Sequence, residues 1–418
     1  MKLGLKLFSC LIVFSFILFL TGCPVVDKIC GASGKDPEKF FSQASPQARE
    51  LVERAWRDLP DGFAYDFHVH AIGDNEKENG SFINPGSKTI LKLSNYLKMQ
   101  AYLSAAQVKD TRKIDQQYLS HLVKLVRNSG HTLRLYLLAF DKNYDRNGNA
   151  VLSKTDFYVS NDYVMKLSRT YPEVFVPVMS VHPYRKDAVD ELEKRADQGV
   201  RMVKWIPSVQ GINPADEAIR PFYQTMKRLN MVLLVHAGEE YALDCHGQKY
   251  LDNPLLLRLP LDCGVKVIIA HCASSGVNTD LEHPKKKKVH NFDLFLRLMN
   301  EKKYEGHLFA DLSGTTQVNR MDKTLPTLLA RRDLHSRLVN GSDYPLPAVN
   351  VLINTGKLAR KKYITRSEQK ALQEIYDYNP LLFDFVLKRI LRHPKTRQSF
   401  PAAVFQNNPV DADRLNDY

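Results

Sequence analysis

Three apolar runs in this chain end in a polar side chain at nearly equal intervals, and that spacing constrains the fold more than any other feature. Val200-Arg201-Met202-Val203-Lys204 is followed, 32 residues on, by Met231-Val232-Leu233-Leu234-Val235-His236, and after another 35 by Val265-Lys266-Val267-Ile268-Ile269-Ala270-His271. Each interval holds one strand, one crossover helix and two loops, the unit that joins parallel strands. Short, wholly apolar runs are what strands buried on both faces require. Similar runs lie at 133–140, 174–181 and 307–312, Gly62-Phe63-Ala64-Tyr65 opens another, and Arg337-Leu338-Val339-Asn340 supplies an eighth. Eight such strands predict an α/β fold, a (β/α)8 TIM barrel, with functional groups at the C-terminal face of the strands. An open doubly wound sheet would instead spread the polar residues along an edge.

The polar residues are of one chemical kind. In Asp66-Phe67-His68-Val69-His70 the two histidines stand at i and i+2 of a strand, so both imidazoles point the same way. Lys204, His236 and His271 end three further strands, and Gly341-Ser342-Asp343-Tyr344-Pro345 carries the eighth strand into an aspartate. Any one of these taken alone is more simply a satisfied buried polar group. Five strands ending in ligand-type residues make a convergent site the better reading.

The set His68-x-His70, Lys204, His236, His271 and Asp343 resembles the amidohydrolase superfamily over about residues 60–390. The local wording Val203-Lys204-Trp205-Ile206-Pro207, Val235-His236-Ala237-Gly238-Glu239, Ala270-His271-Cys272 and Gly341-Ser342-Asp343-Tyr344-Pro345 is most similar to the amidohydrolase-related branch, which also holds decarboxylases of aromatic acids. The resemblance implies one or two divalent metal ions, commonly zinc, held by His68, His70, His236 and Asp343. It implies an enzyme that uses metal-activated water to hydrolyse an amide, lactone or ester of a small molecule. Neutral imidazoles and a carboxylate suit zinc, which lowers the pKa of a bound water from about 16 toward about 7. Asp343 would also relay the water's proton to the leaving group. His271 would be a second metal ligand or the group that polarises the scissile carbonyl. Lys204 stays open between a carboxylated lysine serving two metals, which needs the neutral amine, and a lysine paired with a substrate carboxylate or a nearby acid. Two other functions also stay open: non-oxidative decarboxylation, and a surface lipoprotein that uses the barrel only for binding.

Weaker candidates accompany these. His182 and Asp311 follow or lie on barrel strands, where they either touch substrate or brace loops. Glu239 and Glu240 follow His236 and either orient it or are solvated loop acids, the latter preferred. Asn143-x-Asp145-x-Asn147-Gly148 resembles the start of a calcium loop, but Lys154 stands where the motif needs Glu, so a turn held by Asx hydrogen bonds is the simpler expectation.

At the N-terminus, Lys2 and Lys6 precede an apolar run from Leu7 to Leu20 that is too short for a transmembrane helix and fits a signal-peptide core. Leu20-Thr21-Gly22-Cys23 resembles a bacterial lipobox. The expected organisation is a signal peptide over 1–22, a lipid-anchored linker over 23–50, the barrel over 51–395 and a tail over 396–418, with the protein exported and tethered to the membrane through Cys23. An uncleaved anchor or ordinary secretion is the alternative. Export permits disulfides, and Cys245 with Cys272 is the pair to consider, since both follow barrel strands. That all the cysteines are reduced and buried is the other reading.

The 418 residues, 44% apolar, suffice for one large barrel with insertions. The largest insertion lies between His70 and the second strand, where apolar spacing predicts helices over 90–106 and 114–127 that cap the site. The net charge of +13 includes Lys285-Lys286-Lys287-Lys288 and the cluster Lys357, Arg360, Lys361 and Lys362. These are ordinary solvated charge or a face for an anionic membrane, and no motif supports nucleic-acid binding.

Overall fold

The computed structural model describes residues 34–89 and 93–410. The leader, Cys10, Cys23 and Cys30 lie outside the described residues. Eight parallel strands form the centre: β1 (Phe63–His70), β2 (Thr132–Leu138), β3 (Phe175–Val178), β4 (Met202–Trp205), β5 (Val232–Val235), β6 (Lys266–Ile269), β7 (Leu308–Asp311) and β8 (Leu338–Val339). They pair as β1-β2-β3 and as β4-β5-β6-β7-β8. Backbone hydrogen bonds join the two sheets into a ring. Between β3 and β4, Lys204 N donates to Met179 O at 2.8 Å and Met179 N to Met202 O at 3.1 Å. Between β8 and β1, Phe67 N donates to Asn340 O (2.9 Å), Asp343 N to His68 O (2.7 Å) and His70 N to Tyr344 O (3.1 Å). The architecture is the expected TIM barrel.

Because side chains alternate along a strand, the largely apolar strands fill two cores. Phe67, Tyr136, Leu138, Met202, Leu234 and Ile268 pack inside the ring. Their strand neighbours Leu135, Leu137, Val203, Trp205, Leu233 and Val267 pack outward. The outward set meets the surrounding helices α3 (Ile114–Arg127), α4 (Asn161–Thr170), α5 (Ala188–Asp197), α6 (Arg220–Arg228), α7 (Arg258–Asp262), α8 (Asn291–Met299), α9 (Met321–Ala330), α10 (Arg366–Tyr378) and α11 (Pro380–Ile390). Lys204 and His236 continue the inward phase of Met202 and Leu234, which aims them at the barrel mouth.

β1 needs one adjustment. Its pairing with β2 shifts register between Asp66 and Val69. Phe67 points inward, its ring stacked 4.2 Å from that of Tyr136, whereas Val69 joins the outer core. The irregularity resets the alternation, so His68 and His70 also face the mouth.

The insertion after β1 carries α2 (Leu93–Ala105) and α3 as expected, and Met99, Tyr102 and Leu103 of α2 overhang the mouth. Lys98 Nζ donates to Tyr241 O at 2.7 Å, linking this cap to the loop after β5. The stretch assigned to a linker up to residue 50 is helical and packed well before that point. Phe40, Ala44 and Ala48 are buried, and α1 (Pro46–Trp56) stacks Trp56 on Phe385 of α11 at 4.2 Å. Apolar anchors at these positions make it part of the folded unit. Likewise Val404, Phe405 and Val410 are buried, with Val410 inside the ring, so residues 396–410 pack against the barrel. No helix among the described residues is long and apolar enough to cross a membrane.

Candidate functional site

His68, His70 and Asp343 meet at the mouth. Asp343 Oδ1 lies 3.1 Å from His70 Nε2 and 3.4 Å from His68 Nε2, and the three side chains bring ligand-type atoms that could hold a metal ion within 4.8 Å of one another. Asp343 is held there by a left-handed backbone, φ +63°, an unfavourable conformation for a non-glycine residue that is retained where surrounding structure imposes it. Gly341, two residues earlier, allows β8 to approach: a Cβ there would sit 3.0 Å from His68 Cβ.

Hydrogen bonds fix the tautomers. Asp311 is fully buried behind the site and accepts from His68 Nδ1 at 2.9 Å and from the His271 backbone N at 2.9 Å. A carboxylate only accepts, so His68 carries its proton on Nδ1 and turns the bare Nε2 toward Asp343. Ser313 Oγ gives its single proton to Asp311. It therefore accepts at 2.7 Å from His271 Nδ1, and His271 also presents a bare Nε2, 3.8 Å from Asp343 Oδ2. His271, Cys272 and Ala273 are three consecutive residues with positive φ, a turn that swings the imidazole back over the barrel. Asp311 therefore positions two histidines from behind them. Ser313 joins the site although its sequence context marks it only by its i, i+2 spacing from Asp311 beside a strand end.

Lys204 is fully buried, and its Nζ donates to His68 Nε2 at 3.0 Å. Burial lowers its pKa to about 8. Burial also keeps the imidazoles neutral, His236 down to about 4 and His68 and His271 well below their usual value, while it raises the Asp343 carboxyl. His68 Nε2 thus turns its lone pair toward Lys204 Nζ and Asp343 Oδ1, and the set of two imidazoles and a carboxylate is one that suits a divalent ion.

His236 is not drawn into the group. Its Nε2 lies 3.1 Å from Gly238 O and its Nδ1 3.4 Å from Glu240 Oε2, so both ring nitrogens face other partners, although the ring lines the same cavity. Glu240 corrects the expectation of two solvated acids. It is buried, accepts from the backbone N of Leu243 and faces His236, while Glu239 is the surface acid, paired with Lys249. His182 braces a loop: Nε2 donates to Gln210 O at 2.8 Å and Nδ1 accepts from Tyr184 N. At 145, the Asp side chain accepts from the backbone N of Asn147 and Asn149, the Asx turn expected in place of a calcium loop. Cys245 and Cys272 are free: Cys245 Sγ is engaged by Ser208 Oγ at 3.3 Å, and Cys272 Sγ donates to Asp311 O.

His182 carries a pH prediction. Burial holds its pKa down to about 3 against an unfolded value near 6.5. Its neutral form therefore favours the fold above pH 6.5, and that share is lost as the pH falls toward 3, about 2 kcal/mol of it between pH 7 and pH 5. Urea unfolding at the two pH values should show His182→Gln losing about 2 kcal/mol less than the parent on acidification. An unchanged pH slope would mean that His182 is not held neutral.

The cavity over this group has a volume of about 320 Å³ and largely apolar walls, including Ile72, Met99, Leu103, Phe157 and Leu346. The amidohydrolase family model matches residues 65–381, more than half of the chain and every residue of the site. The chain belongs to the amidohydrolase family. Among solved structures, this family member is similar to an uncharacterised TIM-barrel protein from Bordetella bronchiseptica (15% identity, 75% of this chain and 99% of that chain covered, TM-score 0.46). It is also similar to a 2,6-dihydroxybenzoate decarboxylase from Rhizobium (14%, 75% and 98%, TM-score 0.39) and to a 4-oxalomesaconate hydratase from Rhodopseudomonas palustris (13%, 85% and 97%, TM-score 0.41). No curated protein matches the chain.

Proposed function

We propose that this amidohydrolase is a metal-dependent hydrolase that cleaves a C–N or C–O bond of a small amide, lactone or ester. The observation that carries the reading is the convergence of His68 Nε2, His70 Nε2 and Asp343 Oδ1 beneath an apolar cavity. His68, His70 and Asp343 would hold a divalent ion, zinc by ligand type, with His271 Nε2 and Lys204 placed for a second and His236 as a further ligand only if its ring leaves Gly238. Such an ion supplies Lewis acidity and an activated water near neutral pH. Asp343, at the mouth beside His70, would take a proton from the attacking water and deliver it to the leaving group. His271, neutral and protonated on Nδ1, offers a lone pair to the cavity, which suits a ligand better than an oxyanion donor. The apolar walls exclude bulk water from the reacting bond.

A second reading is non-oxidative decarboxylation, in which an acid at this mouth would protonate the carbon that loses carbon dioxide. Turnover separates the two. The zinc-loaded protein is expected to hydrolyse members of a panel of aryl esters, lactones and amides and to leave hydroxybenzoates unchanged. Carbon dioxide release from the acids with no hydrolysis would reverse the assignment.

We also propose export and lipid attachment at Cys23, on the strength of the apolar run that precedes Leu20-Thr21-Gly22-Cys23.

A further inference from the structure

Among the ionic groups that line the cavity, Arg320 is a cation that the hydrolytic reading leaves without a task. Arg320, between β7 and α9, lines the cavity and is 7% exposed. Its Nε donates to Gln317 Oε1 at 3.2 Å and its Nη1 to Ser274 Oγ at 3.4 Å. Both acceptors are neutral, and among the described residues Arg320 forms no ion pair. Two other buried cations are matched by acids, Lys388 with Asp384 and Arg195 with Glu191 and Asp162, and Lys204 belongs to the ligand group itself. A guanidinium keeps its proton, and a buried charge without a counter-ion is costly. Glu240, Asp343 and Asp311 act on it electrostatically, and none of them forms an ion pair with it.

Its position is equally specific. A Cβ on Gly314 would lie 3.3 Å from His271 Nδ1 and 3.6 Å from Arg320 Cδ, so the arginine stem runs beside the histidine. The ligand group thus sits at the cavity floor, the guanidinium beside it, and the apolar residues Met99, Leu103 and Phe157 around the remaining space.

We propose that Arg320 is a specificity-determining residue that pairs with a carboxylate on the substrate, which places the substrate class among small molecules with an apolar, aromatic-sized body and a carboxylate separate from the reacting bond. The planar fork of arginine matches a carboxylate with two parallel hydrogen bonds. The identity of the reacting bond rests on the hydrolase reading; the recognition of the anion does not.

The test is calorimetric binding of phenylacetate and of phenylacetamide, its neutral isostere, to the full zinc-loaded chain. The parent is expected to bind phenylacetate about 10–100-fold more tightly, the range of a charge-assisted pair. Arg320→Met, with zinc content unchanged, should abolish the preference, and Arg320→Lys, which keeps charge but loses the fork, should restore part of it. Should Arg320→Met fail to fold, the lysine variant and the rise in thermal midpoint that phenylacetate but not the amide gives the parent still decide. Equal affinity for the two probes, binding of neither, or a preference that survives in Arg320→Met would overturn the proposal. An anion preference without any hydrolysis would sink the hydrolase reading alone; hydrolysis indifferent to a substrate carboxylate would sink this one alone.

Discussion

Replacing His68 and His70 together by alanine is expected to cost the protein its metal. Two of the three convergent ligands disappear, leaving Asp343 as the remaining member of the group. Structural zinc sites bind with about 10–16 kcal/mol shared over some four ligands, so losing two should weaken binding at least about a thousandfold. Elemental analysis after gel filtration should find one to two equivalents in the parent and almost none in the variant, with hydrolysis lost in step. Asp311→Asn is a useful contrast, because Asp311 only holds His68 and His271 from behind; a loss of about 10–100-fold is expected there. The metal count bears on Lys204. With its pKa near 8, about 3% of the amine is neutral at pH 6.5 and about three quarters at pH 8.5. Preparation at pH 8.5 with bicarbonate is expected to raise the content from one equivalent toward two, and Lys204→Met to keep it at one. A parent that binds no metal after reconstitution would end the hydrolase reading and leave a binding protein.

The second large effect lies beneath the site. Lys388 on α11 is fully buried, pairs with Asp384 one turn earlier and donates to Gly341 O at 2.6 Å. Lys388→Met would leave the Asp384 carboxylate without its counter-charge and the Gly341 carbonyl without its donor. A destabilisation of about 3–5 kcal/mol is expected from urea unfolding. The double variant Asp384→Leu with Lys388→Met should recover most of that loss, since an apolar pair of similar volume is often as stable as the ion pair it replaces. Because Gly341 precedes Asp343, the single variant should also bind zinc more weakly. A single variant as stable as the parent would show that the pair is not buried as described.

The legible parts of this protein were those that depend on period and spacing. Wholly apolar runs of four to eight residues about 33 apart can be little other than barrel strands, and a residue in phase with the inward set at a strand's end must face the mouth. That logic placed Lys204 and His236. It could not place His68 and His70 alongside an inward Phe67, because strict alternation forbids it; the shift in register at Asp66 to Val69, set by pairing with β2, made room for both. The roles of individual side chains were less legible still. Glu239 and Glu240 are adjacent and chemically alike, yet one is a surface acid and the other is buried against His236.

What the sequence determined by itself was the barrel, the cap after the first strand, and the kinds of side chain gathered at the mouth, since each follows from local periodicity and from the covalent order of strands. Only the tertiary structure decided which atoms of those side chains meet. His68, His70 and Asp343 converge, His236 turns to Gly238 and Glu240, Asp311 withdraws behind the histidines, and Arg320 is left in an apolar cavity without a counter-ion. Those outcomes depend on burial and on hydrogen bonds between residues far apart in the chain, such as Ser342 and Asp66, 276 positions apart, and no pattern within a single strand or loop encodes them.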